Sequence, residues 1–177
     1  MKKVLSVLIV CILLCTVFVS CKKDEIDMPP YTQLASDPSI VDFYLFVPDN
    51  WTVEMSTGTA MAYVSVNDPT NISATLAQLT SADKEDPIGT YFASFSKQFS
   101  DAFGEPQNLE TANLLLDGQN ARQYIYTATF GGIEYKFWQV ICIRQGRVYT
   151  VTYSSTTDNF EKHAADMQEA LGNFRFI

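Results

Sequence analysis

The sequence predicts an α+β domain in which helices pack on an antiparallel β-sheet. Two observations carry this. Strand-length apolar runs are separated by the tight-turn pairs Asp117-Gly118, Gly131-Gly132 and Gln145-Gly146, the spacing of consecutive hairpins. Two longer segments repeat apolar residues at three- and four-residue steps, the period of a helix with one buried face.

The chain begins with a different kind of segment. Met1-Lys2-Lys3 is followed by an uncharged apolar stretch from Val4 to Val19, then by Ser20-Cys21-Lys22-Lys23. A basic start, a short apolar run and a small residue before a cysteine read as a bacterial lipoprotein signal over residues 1–20. The stretch resembles a lipobox, with Phe18, Val19 and Ser20 ahead of the cysteine. The mature chain then begins at Cys21 with lipid, such as palmitate, on that residue. The competing reading is an uncleaved membrane anchor, since Val4 to Ser20 is at the lower limit of about 17–25 residues for a bilayer span. Ser20-Cys21 favours cleavage.

Residues 21–40 read as the lipidated cysteine and a tether. Lys22 to Asp27 alternate in charge, Met28-Pro29-Pro30 stiffens the chain, and Ser36-Asp37-Pro38-Ser39 is turn material. Fully extended at ~3.3–3.6 Å per residue, residues 22–40 reach about 60–70 Å. The folded domain is expected over residues 41–177. Asp42 to Val47 is a strand closed by Pro48-Asp49-Asn50, and Trp51 to Met55 a second. Ala60 to Val66 and Ile72 to Leu79 complete a meander, joined by the turn residues Asn67 to Asn71. A helix follows from Ile88 to Phe103, its stripe made by Ile88, Tyr91, Phe92, Phe95, Phe99 and Phe103, with Gly104 and Pro106 as stop signals. Strands are then expected over Asn108 to Leu116, Asn120 to Phe130, Ile133 to Ile143 and Arg147 to Ser155. A last helix, from about Asp158 to Leu171, takes its cap from Thr157 or Asp158 and buries Phe160, Ala164, Met167 and Leu171. Phe174 and Phe176 close the chain.

Charge narrows the partners. Without Lys2 and Lys3 the mature chain holds 10 basic and 20 acidic residues, a net charge near −10. Nucleic-acid binding needs a basic patch and is excluded as an expectation. Adhesion to anionic lipid by charge is also disfavoured, so the lipid on Cys21 has to hold the membrane. Once Cys11 and Cys15 leave with the signal, Cys142 is the one unmodified cysteine. In the run Val140-Ile141-Cys142-Ile143 it reads as a small buried hydrophobe and not as a nucleophile.

Phe46-Val47-Pro48-Asp49-Asn50-Trp51, Asp117-Gly118-Gln119-Asn120-Ala121-Arg122-Gln123-Tyr124 and Gly146-Arg147-Val148-Tyr149-Thr150-Val151-Thr152-Tyr153 resemble the PsbP-like group, as does the terminal helix leading into Phe174-Arg175-Phe176. That group takes in the photosystem subunit PsbP, DcrB-type bacterial lipoproteins and, by fold, the Mog-type Ran-binding protein. The resemblance spans nearly all of residues 40–177. It implies an antiparallel β-sheet sandwiched by α-helices, and it carries over no catalytic residue.

Catalytic chemistry is scarce. His163 is the sole histidine, offset by one residue from the helical stripe, and is expected at the boundary or in solvent. One histidine with one free cysteine cannot build a zinc site, and neither a phosphate-binding glycine loop nor a nucleophile elbow occurs. The acidic groups Asp24-Glu25-Asp27 and Asp83-Glu85-Asp86 lack calcium-loop spacing. No catalytic residue, metal or cofactor is assigned. The remaining candidates are aromatic: Trp51 or Trp138, if exposed, would anchor a partner or ligand. The expectation is therefore a monomeric, non-catalytic accessory or protein-interaction domain. It would be lipid-anchored through Cys21 on the extracytoplasmic face of the cell membrane, or at the outer membrane of a Gram-negative cell, with an envelope protein as partner. The alternative is a binder of a small apolar or peptide-like ligand in a pocket between sheet and helix.

Overall fold

The computed structural model describes residues 33–37, 39–79 and 85–177. The expected signal segment, Cys21 and most of the expected tether lie outside the described residues, as do residues 80–84. Within them the order is β1 (Gln33–Ala35), β2 (Phe43–Val47), β3 (Thr52–Ser56), β4 (Thr59–Ser65), β5 (Asp68–Gln78), α1 (Pro87–Phe103), β6 (Gln107–Leu116), β7 (Gln119–Phe130), β8 (Ile133–Arg144), β9 (Arg147–Thr156), α2 (Thr157–Asn173) and β10 (Arg175–Phe176).

Seven strands form one antiparallel sheet in the order β3-β4-β5-β9-β8-β7-β6. The early meander β3-β4-β5 and the late meander β6-β7-β8-β9 are thus joined by β5 and β9, with Asn71 opposite Ser154 and Gln78 opposite Arg147. The hairpin turns sit where the sequence placed them. Asp117-Gly118, Gly131-Gly132 and Gln145-Gly146 all have positive φ at both positions, the conformation whose twist matches the flanking strands.

β2 departs from expectation. It leaves the meander and pairs with β1 on one side and β10 on the other, making a separate three-stranded sheet. Its alternate residues Phe43, Leu45 and Val47 are all buried, and the apolar run that marks it as a strand does not say which sheet it joins. β1 lies inside the stretch read as tether; at three residues it is too short to leave a pattern. β5 starts at Asp68 after a two-residue turn, so the expected Asn67–Asn71 loop is mostly strand. Pro69 is accommodated by the register shift between Tyr63 and Ser65, where neither neighbouring strand needs its missing N–H.

The two faces of the large sheet hold two cores. On one, α2 and the small sheet cover Ala60, Ala62, Ile72, Val140, Cys142, Tyr149, Val151 and Tyr153. On the other, α1 lays its aromatic stripe over Tyr124, Tyr126, Ile141 and Val148. The α+β architecture with helices on both sides of an antiparallel sheet is therefore the observed one. Helix α1 starts at Pro87, capped by Asp86, whose Oδ1 accepts from the Gly89 N–H at 3.1 Å. A Cβ on Gly89 would collide with the Asp86 carboxylate, so the small residue keeps that cap in place. Helix α2 differs from expectation at its start. β9 runs directly into it, the cap position is Thr156, and no side chain caps the helix. Its buried residues are Phe160, Met167 and Ala170, so Ala164 and Leu171 stand at the margin of the stripe.

Candidate functional site

The register defines two ends of the large sheet. One carries the Val66-Asn67 turn, Trp51 and the start of α2; the other carries the Asp117-Gly118 and Gln145-Gly146 turns. The polar side chains with chemical capacity gather in one cluster at each end.

At the first end, His163 on α2 lies between two carboxylates. Its Nδ1 is 3.0 Å from Asp166 Oδ2 and its Nε2 is 3.7 Å from Asp68 Oδ2 on β5. The ring meets Trp51 edge to face, centroids 5.5 Å apart at 82°. Asp68 Oδ1 accepts from the Thr70 N–H at 3.0 Å and from the Thr70 hydroxyl at 2.6 Å, and Thr70 Oγ1 is 2.6 Å from Ser155 Oγ. Burial alone would raise the Asp68 carboxyl. The bonds from Thr70 and Asn159 and the nearby His163 outweigh it and hold the carboxyl below its ordinary value. Stability from this group is thus present above the ordinary aspartate range and lost as pH falls through its lowered value.

A serine, a histidine and two aspartates in one cluster invite comparison with a hydrolytic triad. The wiring is different. Ser155 is fully buried, its hydroxyl leads through Thr70 to Asp68, and both His163 ring nitrogens face carboxylates. The arrangement ties the start of α2 to β5 and to Trp51. It does not present a nucleophile.

At the second end, Asp42 Oδ2 accepts hydrogen bonds from Arg147 Nη1 and, at 2.9 Å, from the Tyr149 hydroxyl. Arg144 lies over the Phe176 ring at 4.9 Å, and Arg122 Nη1 reaches Asp86 Oδ2 at 2.8 Å. These contacts lock the small sheet and the start of α1 to the large sheet. Among the described residues, no group of three or more His, Cys, Asp or Glu side chains is arranged to hold a metal ion.

The aromatic candidates fare differently from each other. Trp51 is 2 % exposed and belongs to the main core, so its ring offers no surface to a partner. Trp138 is half-buried against the same core, on the sheet face opposite Phe137, and its indole N–H is buried with no hydrogen-bond partner. The space between α1 and the sheet is filled by rings. Phe92 stacks on Tyr124 at 3.6 Å and 5°, and Phe99 meets Tyr126 and Phe137 edge-on at 5.6 and 5.5 Å. An open depression of about 550 Å³ lies on the flank of α1, lined by Phe92, Ala93, Ser96, Lys97, Ser100, Asp101 and Glu105.

Cys142 is buried, and burial pushes its thiol up to about 11 against a smaller opposing effect of Arg144. The folded protein is expected to leave Cys142 unreacted with a thiol reagent at neutral pH and to release it on denaturation. Rapid titration of Cys142 in the native state would contradict this burial.

Sequence reasoning placed His163 at the boundary or in solvent; it is half-buried, and the same reasoning missed Asp68 and Trp51 as its neighbours. Asp68-Pro69-Thr70 carries a local signal, an aspartate two residues ahead of a hydroxyl, yet nothing local points across to residue 163.

No protein-family profile matches the sequence, and no curated protein matches it. Similarity appears among solved structures. The cyanobacterial PsbP (CyanoP) of Synechocystis is 16% identical, with a TM-score of 0.62 over 90% of this chain and 98% of that one. LpqN of Mycobacterium tuberculosis, described as involved in cell envelope biogenesis, is 17% identical with a TM-score of 0.53, covering 75% of this chain and 82% of the other. The Ran-binding protein Mog1p of Saccharomyces cerevisiae is 9% identical, with a TM-score of 0.55 over 76% and 90%. The chain shares the fold of these proteins.

Proposed function

We propose that this chain is a lipid-anchored extracytoplasmic envelope protein, acylated on Cys21, whose folded part is a non-catalytic accessory domain that binds another envelope protein. The observation that carries the reading is the segment from Met1 to Cys21, a basic start, an apolar run and Ser20 before the cysteine. The domain is consistent with it. Its histidine, its buried serine and its arginine–aspartate pairs are engaged in holding elements together. The envelope role stated for LpqN, a protein of the same fold, lends support to the location. No helix among the described residues is long and apolar enough to cross a membrane.

Binding of a small apolar or peptide-like ligand between sheet and helix has less support, because stacked rings occupy that interface. Attachment is tested by comparing the native chain with Cys21→Ala in cells fed a labelled fatty acid. The native chain is expected in the membrane fraction with label, and Cys21→Ala without label and released from the membrane. Label on Cys21→Ala would overturn the assignment. An unlabelled variant that stays in the membrane would point to the uncleaved anchor instead.

A further inference from the structure

Among the described residues, strand β6 ends the large sheet with no strand on its outer side. Residues 107–113 and 115 are all exposed, and two of its leucines, Leu109 at 49 % and Leu115 at 64 %, stand among the few large apolar side chains left in solvent. Edge strands are ordinarily defended by lysine, proline or inward charge. β6 has neither lysine nor proline, and its one charge is Glu110; its sole irregularity is the register shift between Gln107 and Glu110. The opposite edge, β3, carries Glu54 at its centre and has β1 packed beside it. Among the described residues, only the β3 edge has another strand packed beside it.

From this asymmetry we infer that β6 pairs with β6 of a second copy of this chain, antiparallel about a two-fold axis at Ala112. That axis sets Thr111 opposite Asn113, Glu110 opposite Leu114, and the exposed Leu109 of each copy opposite the exposed Leu115 of the other. The surface is self-complementary, as a two-fold interface requires. Charge favours this strand over others. In a chain with 20 acidic and 12 basic residues, β6 carries a single charge. Its two Glu110 side chains would stand four residues apart along the seam, about 13 Å, beyond a Debye length of about 8 Å at physiological salt. The same operation at β3 would set Glu54 against Glu54. The pairing fills the hydrogen bonds of the free edge and covers both leucines, and it replaces the monomer expected from sequence.

The test places one cysteine on the axis. In the full chain in cells, Ala112→Cys treated with a mild oxidant is expected to run mainly as a reducible dimer on a non-reducing gel, since cross-strand neighbours lie within disulfide reach. Glu54→Cys at the other edge is expected to stay monomeric. Adding Leu115→Lys to Ala112→Cys is expected to abolish the dimer, and because Leu115 is exposed the chain still folds. Absence of crosslinking by Ala112→Cys, or equal crosslinking by Glu54→Cys, would overturn the pairing. Fatty-acid labelling of Cys21 is read separately, so failure of the anchor and failure of the dimer are distinct results.

Discussion

Phe43→Ala is expected to lower stability by about 3–5 kcal/mol, the usual cost of removing a fully buried phenylalanine. The ring has no exposed surface. It stacks on Phe174 at 5.5 Å and 23° and meets Tyr149 edge-on at 6.3 Å and 80°. Phe43 also pairs with Phe176 across β2 and β10. One side chain therefore joins the small sheet, the end of α2 and the large sheet. Truncation leaves a cavity where three elements meet, and none can close it without leaving the others. In urea the unfolding midpoint should fall sharply, with the slope of the transition nearly unchanged. A loss below about 1 kcal/mol would mean that the small sheet is not integral to the core, since even single buried methylenes cost about this much.

Phe92→Ala is expected to cost a similar amount, about 3–5 kcal/mol, but with a different spatial signature. Phe92 is the one buried residue of α1 and stacks face to face on Tyr124. The rest of the stripe, Phe95, Phe99 and Phe103, is half-buried and touches its neighbours in a row along the helix. The second core is small, and α1 is held by it together with the Asp86 cap and the Arg122–Asp86 pair. Loosening should thus begin at α1. Hydrogen exchange is expected to quicken across Pro87–Phe103 while α2 keeps its protection. Uniform acceleration through both helices would show that the two cores melt as one.

Local chemistry made much of this fold legible. The stripe of α1 was readable because aromatic residues recur at helical steps, and the late hairpins because their turns need positive φ at both positions. What stayed hidden is non-local. Nothing near Ile72 announces that it will lie opposite Tyr153, and nothing in Asp42–Val47 says that this strand will abandon the meander for the chain terminus. The stripe of α2 is only half-buried at Ala164 and Leu171, because an alanine or leucine at the margin has the same spacing as one in the core. The site was least legible of all. His163 gains its meaning from Asp68 and Trp51, both about 95 or more residues away in sequence, and strand pairing alone brings β5 to α2. Cys21 is the opposite case, since its proposed chemistry depends on the residues just before it.

Attachment at Cys21 is read from the mass of the mature N-terminal peptide. Protein recovered from the membrane fraction is expected to begin at Cys21, with residues 1–20 removed and acyl groups on that residue. A membrane-bound chain that still carries residues 1–20 and an unmodified Cys21 would rule out lipid attachment there.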